Sequence, residues 1–387
     1  MIIVIADDFT GAAELGGIGL RYNLKVEVNT SVNLQSKADL LVIATDTRSM
    51  TKNEAVAEME RVTEQVVKLN PTLIFKKVDS VLRGYVAEEL LAHIQKLSHT
   101  RALLVPANPG LGRTIVNGQY LLNGQPLHQS NFATDPDFPV QSSSVIELLD
   151  GKGIKISSQK HTETLNFEGI VVGDAADHND LKAWTNRVNR NMIIAGAANF
   201  FTALLDKVVI PDEQSQQKKA RSFEQPVLIV SGTAFKKSAD AIRKLKDDGF
   251  PVSYMPANII RESEINEEEY LQWCDRIVAD ITKFGKTIIA IDPHNSIKSS
   301  QSRLLRQKTA TIVNMVCKQI HINELLIEGG STAAAILKQL GIAKLYPVEE
   351  LALGVIRMSA DDDSELYITI KPGSYAWPQS VSQYTSY

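Results

Sequence analysis

Short apolar runs that do not alternate with polar residues recur along this chain. Each is followed by a polar or glycine-containing turn and then a helix-length amphipathic segment. In the first half the runs are Ile2–Ala6, Leu40–Ala44, Leu73–Phe75, Ala102–Val105, Ile170–Val172 and Met192–Ala195. A strand with one wet face alternates; an uninterrupted run fits a strand buried on both faces, which is the habit of parallel sheets. Between the runs, Asn53–Leu69 places Ala55, Val56, Met59, Val62, Val66 and Val67 at helical spacing. The alternation predicts a doubly wound α/β domain.

At 387 residues the chain exceeds the usual size of one domain. It turns polar from Asp206 to Gln225, with Gln214-Ser-Gln-Gln-Lys-Lys219 at the centre. That stretch reads as a linker (206–225) between an N-terminal domain over 1–205 and a C-terminal domain over 226–387. The second domain repeats the pattern. Val227–Val230, Ile288–Ile291 and Leu325–Ile327 are strand-like, and Ser238–Lys246, Glu267–Lys283 and Thr332–Leu340 are helix-like. The predicted fold is two α/β domains with mainly parallel sheets and an active site in the cleft between them.

Composition narrows the partners. The net charge is −4 and the basic residues are dispersed, which argues against nucleic acid or an anionic membrane as the main partner. Cys274 and Cys317 have neither metal-ligand nor disulfide-framework spacing, as expected in a reducing compartment. No apolar run approaches ~18 residues, so no membrane span is expected. The first residues read as a strand rather than a signal peptide. A cytoplasmic protein is the expectation, with a homodimer left open.

Ligands of open α/β sheets sit outside the carboxyl ends of the strands, so the residues just after each strand matter most. After the first strand stands Asp7-Asp8-Phe9-Thr10-Gly11-Ala12. Adjacent carboxylates there suit hydroxyl binding, Mg²⁺ or proton acceptance, although capping of the next helix alone accounts for Asp8 or Thr10. After the second, Arg48 is placed to fork onto a carboxylate. After the third, Lys76-Lys77-Val78-Asp79-Ser80-Val81-Leu82-Arg83-Gly84 gathers cations, a carboxylate and a hydroxyl, which suits a polyhydroxy acid; a solvated charged turn is the plain alternative. After the fourth, Pro106 to Thr114 is a long turn with one basic residue, Arg113, leading to Asn117-Gly118 and Asn123-Gly124, both hairpin signals. So long a non-helical excursion suggests a functional loop.

The second half carries different chemistry. Ser231-Gly232-Thr233 and Glu328-Gly329-Gly330-Ser331-Thr332 each follow a strand and open a helix, where backbone N–H groups and the helix N-terminus suit a phosphate. Leu353-Gly354-Val355 and Lys371-Pro372-Gly373-Ser374 add two later glycine turns. GxxxxGK[ST], HExxH and GxSxG are absent, and Gly16, Gly17 and Gly19 do not form a dinucleotide fingerprint after a strand.

Taken together these motifs resemble the four-carbon acid sugar kinases. The resemblance lies in Ala6 to Ala12, Lys76 to Gly84, Pro106 to Arg113, Asn123 to Leu127 with Asp135-Pro136, Gly329 to Thr332, Leu353 to Val355 and Lys371 to Ser374. It implies an N-terminal sugar-acid-binding domain, a C-terminal nucleotide-binding domain, and transfer of phosphate from ATP, with Mg²⁺, to a hydroxyl of a threonate, erythronate or 3-oxo-tetronate type of acid. Implied substrate contacts are Asp8, Arg48, Lys77, Asp79, Ser80 and Arg83, with Asp8 or Asp7 as proton acceptor. Implied ATP contacts are Ser231, Thr233, Gly329, Gly330, Ser331, Thr332, Gly354 and Gly373. The sequence departs from the family pattern at Ser331, Ile356 and Pro372. A sugar-acid dehydrogenase or isomerase would need a dinucleotide or metal site, and a non-catalytic sugar-acid sensor would not need the glycine turns.

Overall fold

The uninterrupted runs form parallel strands, as their lack of alternation requires. A computed structural model describes residues 1–135, 138–149, 153–165, 167–209, 222–232, 236–261, 266–292, 301–360, 365–373, 375–378 and 381. The chain divides into two units, Met1–Gln216 and Gln217–Tyr387.

In the first unit the strands are β1 (Ile2–Ala6), β2 (Val26–Asn29), β3 (Leu40–Ala44), β4 (Leu73–Lys77), β5 (Arg101–Val105), β6 (Arg113–Val116), β7 (Gln119–Leu122), β8 (Gln125–Pro126), β9 (Ile156–Gln159), β10 (Gly169–Gly173) and β11 (Met192–Gly196). The helices are α1 (Phe9–Arg21), α2 (Lys52–Val66), α3 (Val86–Lys96), α4 (Val145–Leu149), α5 (His178–Thr185) and α6 (Ala198–Val208). The main sheet runs β2-β3-β1-β4-β11-β5-β10-β9 and is parallel throughout. Ile3, Ile5, Leu41 and Ile43 pack on Met59, Val62 and Val66 of α2 and Ala92 of α3. α2 begins at Thr51 with a capping box closed by Glu54. The chain leaves β1 toward β2 on one side and leaves β4 toward β5 on the other. A crevice between β1 and β4 is the consequence, the switch point at which such sheets bind ligands.

β4 runs two residues past the predicted run, so Lys76 and Lys77 end a buried strand instead of opening a turn. Their alternation sends Lys76 to pair with Glu89 of α3 at 2.5 Å, while Lys77 approaches Glu14 of α1. The predicted hairpins form: β6, β7 and β8 make a small antiparallel sheet, with Asn117, Gly118, Asn123 and Gly124 all at positive φ. Asp206 to Val208 belong to α6, where Asp206 accepts a hydrogen bond from Tyr22 at 2.5 Å; residues 210–221 lie outside the described residues.

The second unit holds β12 (Val227–Ser231), β13 (Val252–Tyr254), β14 (Lys286–Ala290), β15 (Glu324–Glu328), β16 (Lys344–Ala352), β17 (Val355–Ser359) and β18 (Tyr367–Lys371). Its helices are α7 (Lys236–Asp247), α8 (Ala257–Arg261), α9 (Glu267–Phe284), α10 (Ser302–Gln319) and α11 (Gly330–Leu340). From β13 through β14, β12 and β15 to β18 the sheet is parallel; β17 and β16 continue it antiparallel. Val227, Ile229, Ile288 and Leu326 pack on Ile242 and Leu245 of α7. The chain leaves β12 toward β13 and β15 toward β16, so this sheet too has its switch point, between β12 and β15. Among the described residues, no helix is long and apolar enough to cross a membrane.

Candidate active site

In the first unit, the carboxyl ends of β1, β3 and β4 bring Asp7, Asp8, Arg48 and Asp79 together. The Arg48 guanidinium donates to Asp7 Oδ2 from Nε at 3.1 Å and from Nη2 at 2.7 Å. Nη2 also lies 3.4 Å from Asp8 Oδ1, and Nη1 lies 3.5 Å from Asp79 Oδ1. Burial alone would lower the Arg48 pKa, but the three carboxylates hold it well above the ordinary value. An arginine read as a fork for a substrate carboxylate thus faces three aspartates of its own chain.

Asp8 does cap α1: its Oδ1 accepts from the Gly11 N–H at 2.9 Å and its Oδ2 from the Thr10 hydroxyl at 2.5 Å. Burial pushes its pKa up, yet Arg48 and Lys77, together with these two donors, leave it lowered. The Asp7 Oδ1 atom is buried with no hydrogen-bond partner among the described residues. Lys77 is buried, donates to the Val78 carbonyl at 3.1 Å and lies 3.7 Å from Glu14. Burial raises the Glu14 pKa, with Lys77 opposing.

The loop after β4 is folded around Asp79. Its Oδ2 accepts from the N–H groups of Val81 and Arg83, both at 3.2 Å, and the Arg83 fork closes on both oxygens at 2.9 and 2.8 Å. Burial would raise the Asp79 pKa, but Arg83 and Arg48 hold the carboxyl well below the usual range. Leu82, buried, sits at φ 65°, a conformation that a branched side chain adopts only where the surroundings impose it.

The antiparallel appendage closes on the same residues. Arg83 Nη1 donates to Asp135 at 2.8 Å, Arg113 donates to the Ser80 hydroxyl, and Tyr120 donates to the Ser80 carbonyl. The Phe132 ring lies under two guanidiniums, 5.3 Å from Arg83 and 5.6 Å from Arg113. The structure therefore brings Asp7, Asp8, Arg48, Asp79, Ser80 and Arg83 into one cluster, with Lys77 beside Asp8. Glu14, Tyr120 and Phe132 carried no sequence signal; Arg113 and Asp135 stood inside quoted motifs without a role.

In the second unit three glycine turns stand side by side at the carboxyl ends of β12, β15 and β18. Gly329 takes φ 102°, and a Cβ on Gly232 would lie 1.9 Å from the Thr332 hydroxyl, so the first two turns pack as closely as glycine permits. The Gly329 N–H donates to the Lys371 carbonyl at 2.9 Å and the Gly232 N–H to the Glu328 carbonyl at 3.1 Å. Beneath them lies a buried ion pair: Lys371 Nζ donates to Glu328 Oε1 at 2.8 Å and to the carbonyls of Pro372 at 3.1 Å and Tyr375 at 2.6 Å. Ser231 and Ser238 donate to the same Glu328 carboxylate at 3.1 and 2.6 Å. Burial lowers the Lys371 pKa, with Glu328 opposing. Gly354 turns the β16–β17 hairpin, where a Cβ would lie 3.1 Å from the Tyr375 ring, next to the Gly373 turn. Ser331 and Thr332 open α11; Thr233 lies outside the described residues.

Comparison with known proteins decides the family. Residues 2–204 match the model of the Sugar-binding N-terminal domain, and residues 228–375 that of the Nucleotide-binding C-terminal domain. The chain belongs to the four-carbon acid sugar kinase family. It is similar to a D-threonate kinase of Salmonella typhimurium, 26% identical over 88% of this chain and 86% of the relative. It is also similar to a 3-oxo-tetronate kinase of Haemophilus influenzae, 23% identical over 97% of each chain. A D-erythronate kinase of Heliobacterium modesticaldum is 28% identical over 56% of this chain and 55% of the relative. Among solved structures, a Haemophilus influenzae protein superposes with TM-score 0.70 at 19% identity, covering 99% of this chain and 98% of that one. That likeness shows the fold.

Proposed function

We propose that this member of the family transfers the γ-phosphoryl group of ATP to a hydroxyl of a four-carbon acid sugar, of the threonate, erythronate or 3-oxo-tetronate type. The observation that carries the reading is the Asp7–Asp8–Arg48–Asp79 cluster at the switch point of the sheet in the sugar-binding unit. Glycine turns at the switch point of the nucleotide-binding unit complement it.

The chemistry follows from the geometry of each cluster. Asp8 orients the acceptor hydroxyl and takes its proton as the oxygen bonds to the γ-phosphorus; the bond to the β-phosphate oxygen breaks and ADP leaves. Arg48 fixes Asp7, Asp8 and Asp79 in one arrangement, so the hydroxyl meets carboxylates that need no reorganisation. A low pKa at Asp8 suits a loose transition state, in which the hydroxyl proton moves late and a weak base suffices. The N–H groups at the start of α11 and of the Gly373 turn face phosphate oxygens. Mg²⁺ would arrive on the phosphates of the nucleotide, where it would neutralise charge and need at most one or two protein carboxylates.

The test is a panel of four-carbon sugar acids assayed for acid-dependent ADP release. Release with at least one tetronate supports the kinase reading. ATP binding without turnover on any acid of the panel points to a sensor.

A further inference from the structure

The cations of the first cluster are not equivalent. Arg48 faces Asp7, Asp8 and Asp79; Arg83 is closed on Asp79 and Asp135; Lys77 has Glu14. Arg113 is different. Among the described residues no carboxylate lies within ion-pair distance of it: Glu14, which sits beside Lys77, feels its charge only from farther off. Arg113 Nη1 donates to the neutral Ser80 hydroxyl, and its Nε is buried without a hydrogen-bond partner among the described residues. A guanidinium is always charged, carries five N–H groups and is built to fork onto a carboxylate.

The fold holds this side chain firmly. Arg113 opens β6, and its backbone exchanges two hydrogen bonds with Asn108, at 2.7 and 3.1 Å, closing the loop that precedes it. Gly112 before it takes φ 66°, and a Cβ there would lie 1.9 Å from Asn123 Oδ1. The Phe132 ring supports the guanidinium from one side at 5.6 Å, and the Ser80 it touches follows Asp79 directly. Charge, fork geometry and position thus meet in one half-buried side chain beside the hydroxyl-binding carboxylates.

We propose that Arg113, seated on Ser80 and Phe132, is the anchor for the carboxylate of the acid substrate and sets the preference for acids over neutral polyols. The proposal rests on the kinase reading for the identity of the ligand. Arg48 then has an internal role, holding the aspartates, and Lys77 a supporting one beside Asp8. A carboxylate bound at Arg113 is met by the terminal N–H groups of the fork that are not engaged with Ser80.

The experiment is calorimetric binding of a tetronate and of the matching uncharged tetritol to the full chain, for the wild type, Arg113→Gln and Arg113→Lys, without nucleotide. Removing a charge-assisted hydrogen bond typically weakens binding by about tenfold to a hundredfold. Arg113→Gln is expected to lose that much for the tetronate, with tetritol binding moving less than about threefold. Arg113→Lys, which keeps charge and loses the fork, is expected to fall between. Thermal midpoints of the variants show that they fold, and the lysine variant carries the comparison if glutamine does not. Tetronate affinity unchanged in Arg113→Gln, or equal losses for acid and polyol, overturns the anchor. So does a wild type that binds no tetronate. Binding is read without turnover, so failure of the kinase reading shows separately, as a wild type that binds the acid at Arg113 and releases no ADP.

Discussion

At the scale of single residues, Asp8 is both a helix cap and the candidate base, and the two roles separate on substitution. Asparagine caps nearly as well as aspartate but cannot take a proton. Asp8→Asn is therefore expected to keep its thermal midpoint and its ATP affinity while kcat for sugar-acid-dependent ADP release falls by about 10²-fold, the low end for a general base in a loose phosphoryl transfer. Activity within a few-fold of wild type would remove Asp8 from the mechanism and leave Asp7, whose buried Oδ1 has no partner among the described residues. A second expectation concerns pH. The Asp8 pKa is lowered in the folded chain, so the carboxylate is already ionised at every pH above the ordinary aspartate value of about 3.9. The kcat/KM profile should show no acid limb from Asp8 between about pH 8 and pH 5. The same shift stabilises the fold above the unfolded pKa and ceases to do so as pH falls through the folded one. A limb centred near pH 6 would assign the proton to another group.

Strand ends were legible in the sequence because uninterrupted apolar runs have only one comfortable home, and the motifs beside them followed. The partnerships across the sheets were not. Nothing in the spacing of Asp7, Arg48 and Asp79 says that β1 lies between β3 and β4, which is what sets the Arg48 guanidinium beside three aspartates. β2 was missed because Glu27 and Asn29 break its run, although both are buried. β16 and β17 escaped notice because they extend the second sheet antiparallel, outside the pattern that revealed the other strands, and β18, parallel to β15, because Thr369 interrupts its apolar residues.

At the scale of elements, the second unit rests on the junction of β15 and β18. Glu328 and Lys371 end adjacent parallel strands, and their side chains are only 4% and 1% exposed. Removing one partner of a buried pair leaves the other charge uncompensated, which typically costs about 3–5 kcal/mol. Glu328→Gln is expected to lose about that much stability in urea, since Lys371 would keep the Pro372 and Tyr375 carbonyls and the Trp377 ring but no counter-charge in ion-pair contact among the described residues. The double variant Glu328→Gln with Lys371→Met should recover part of the loss, because neither charge remains. A double variant as unstable as the sum of the singles would show that the two do not act as a pair.

At the scale of the whole molecule, two separate family models divide the chain: residues 2–204 match the sugar-binding model and 228–375 the nucleotide-binding one. A fragment beginning near Gln225 has its own sheet, helices and glycine turns, and is expected to fold and to bind ATP or ADP by calorimetry. A folded fragment that binds no nucleotide, beside a full chain that does, would count heavily against this division of labour.

The small antiparallel sheet of β6, β7 and β8 interrupts the α/β alternation between β5 and β9; it brings Arg113 to the cluster, and the short 3-10 turn that follows β8 brings Phe132 and Asp135. It is tied to the rest of its unit by a few local pairings, such as Ile115 with Ala175 and Gln119 with Ser144. Ile115 and Tyr120 hold it with fully buried side chains, so in terms of descent its exposed positions, such as Val116 and Gln119, are the ones with room to drift. Substitutions at those exposed positions touch no parallel strand, so a lineage has somewhere to acquire a taste for a new acid without relearning how to fold.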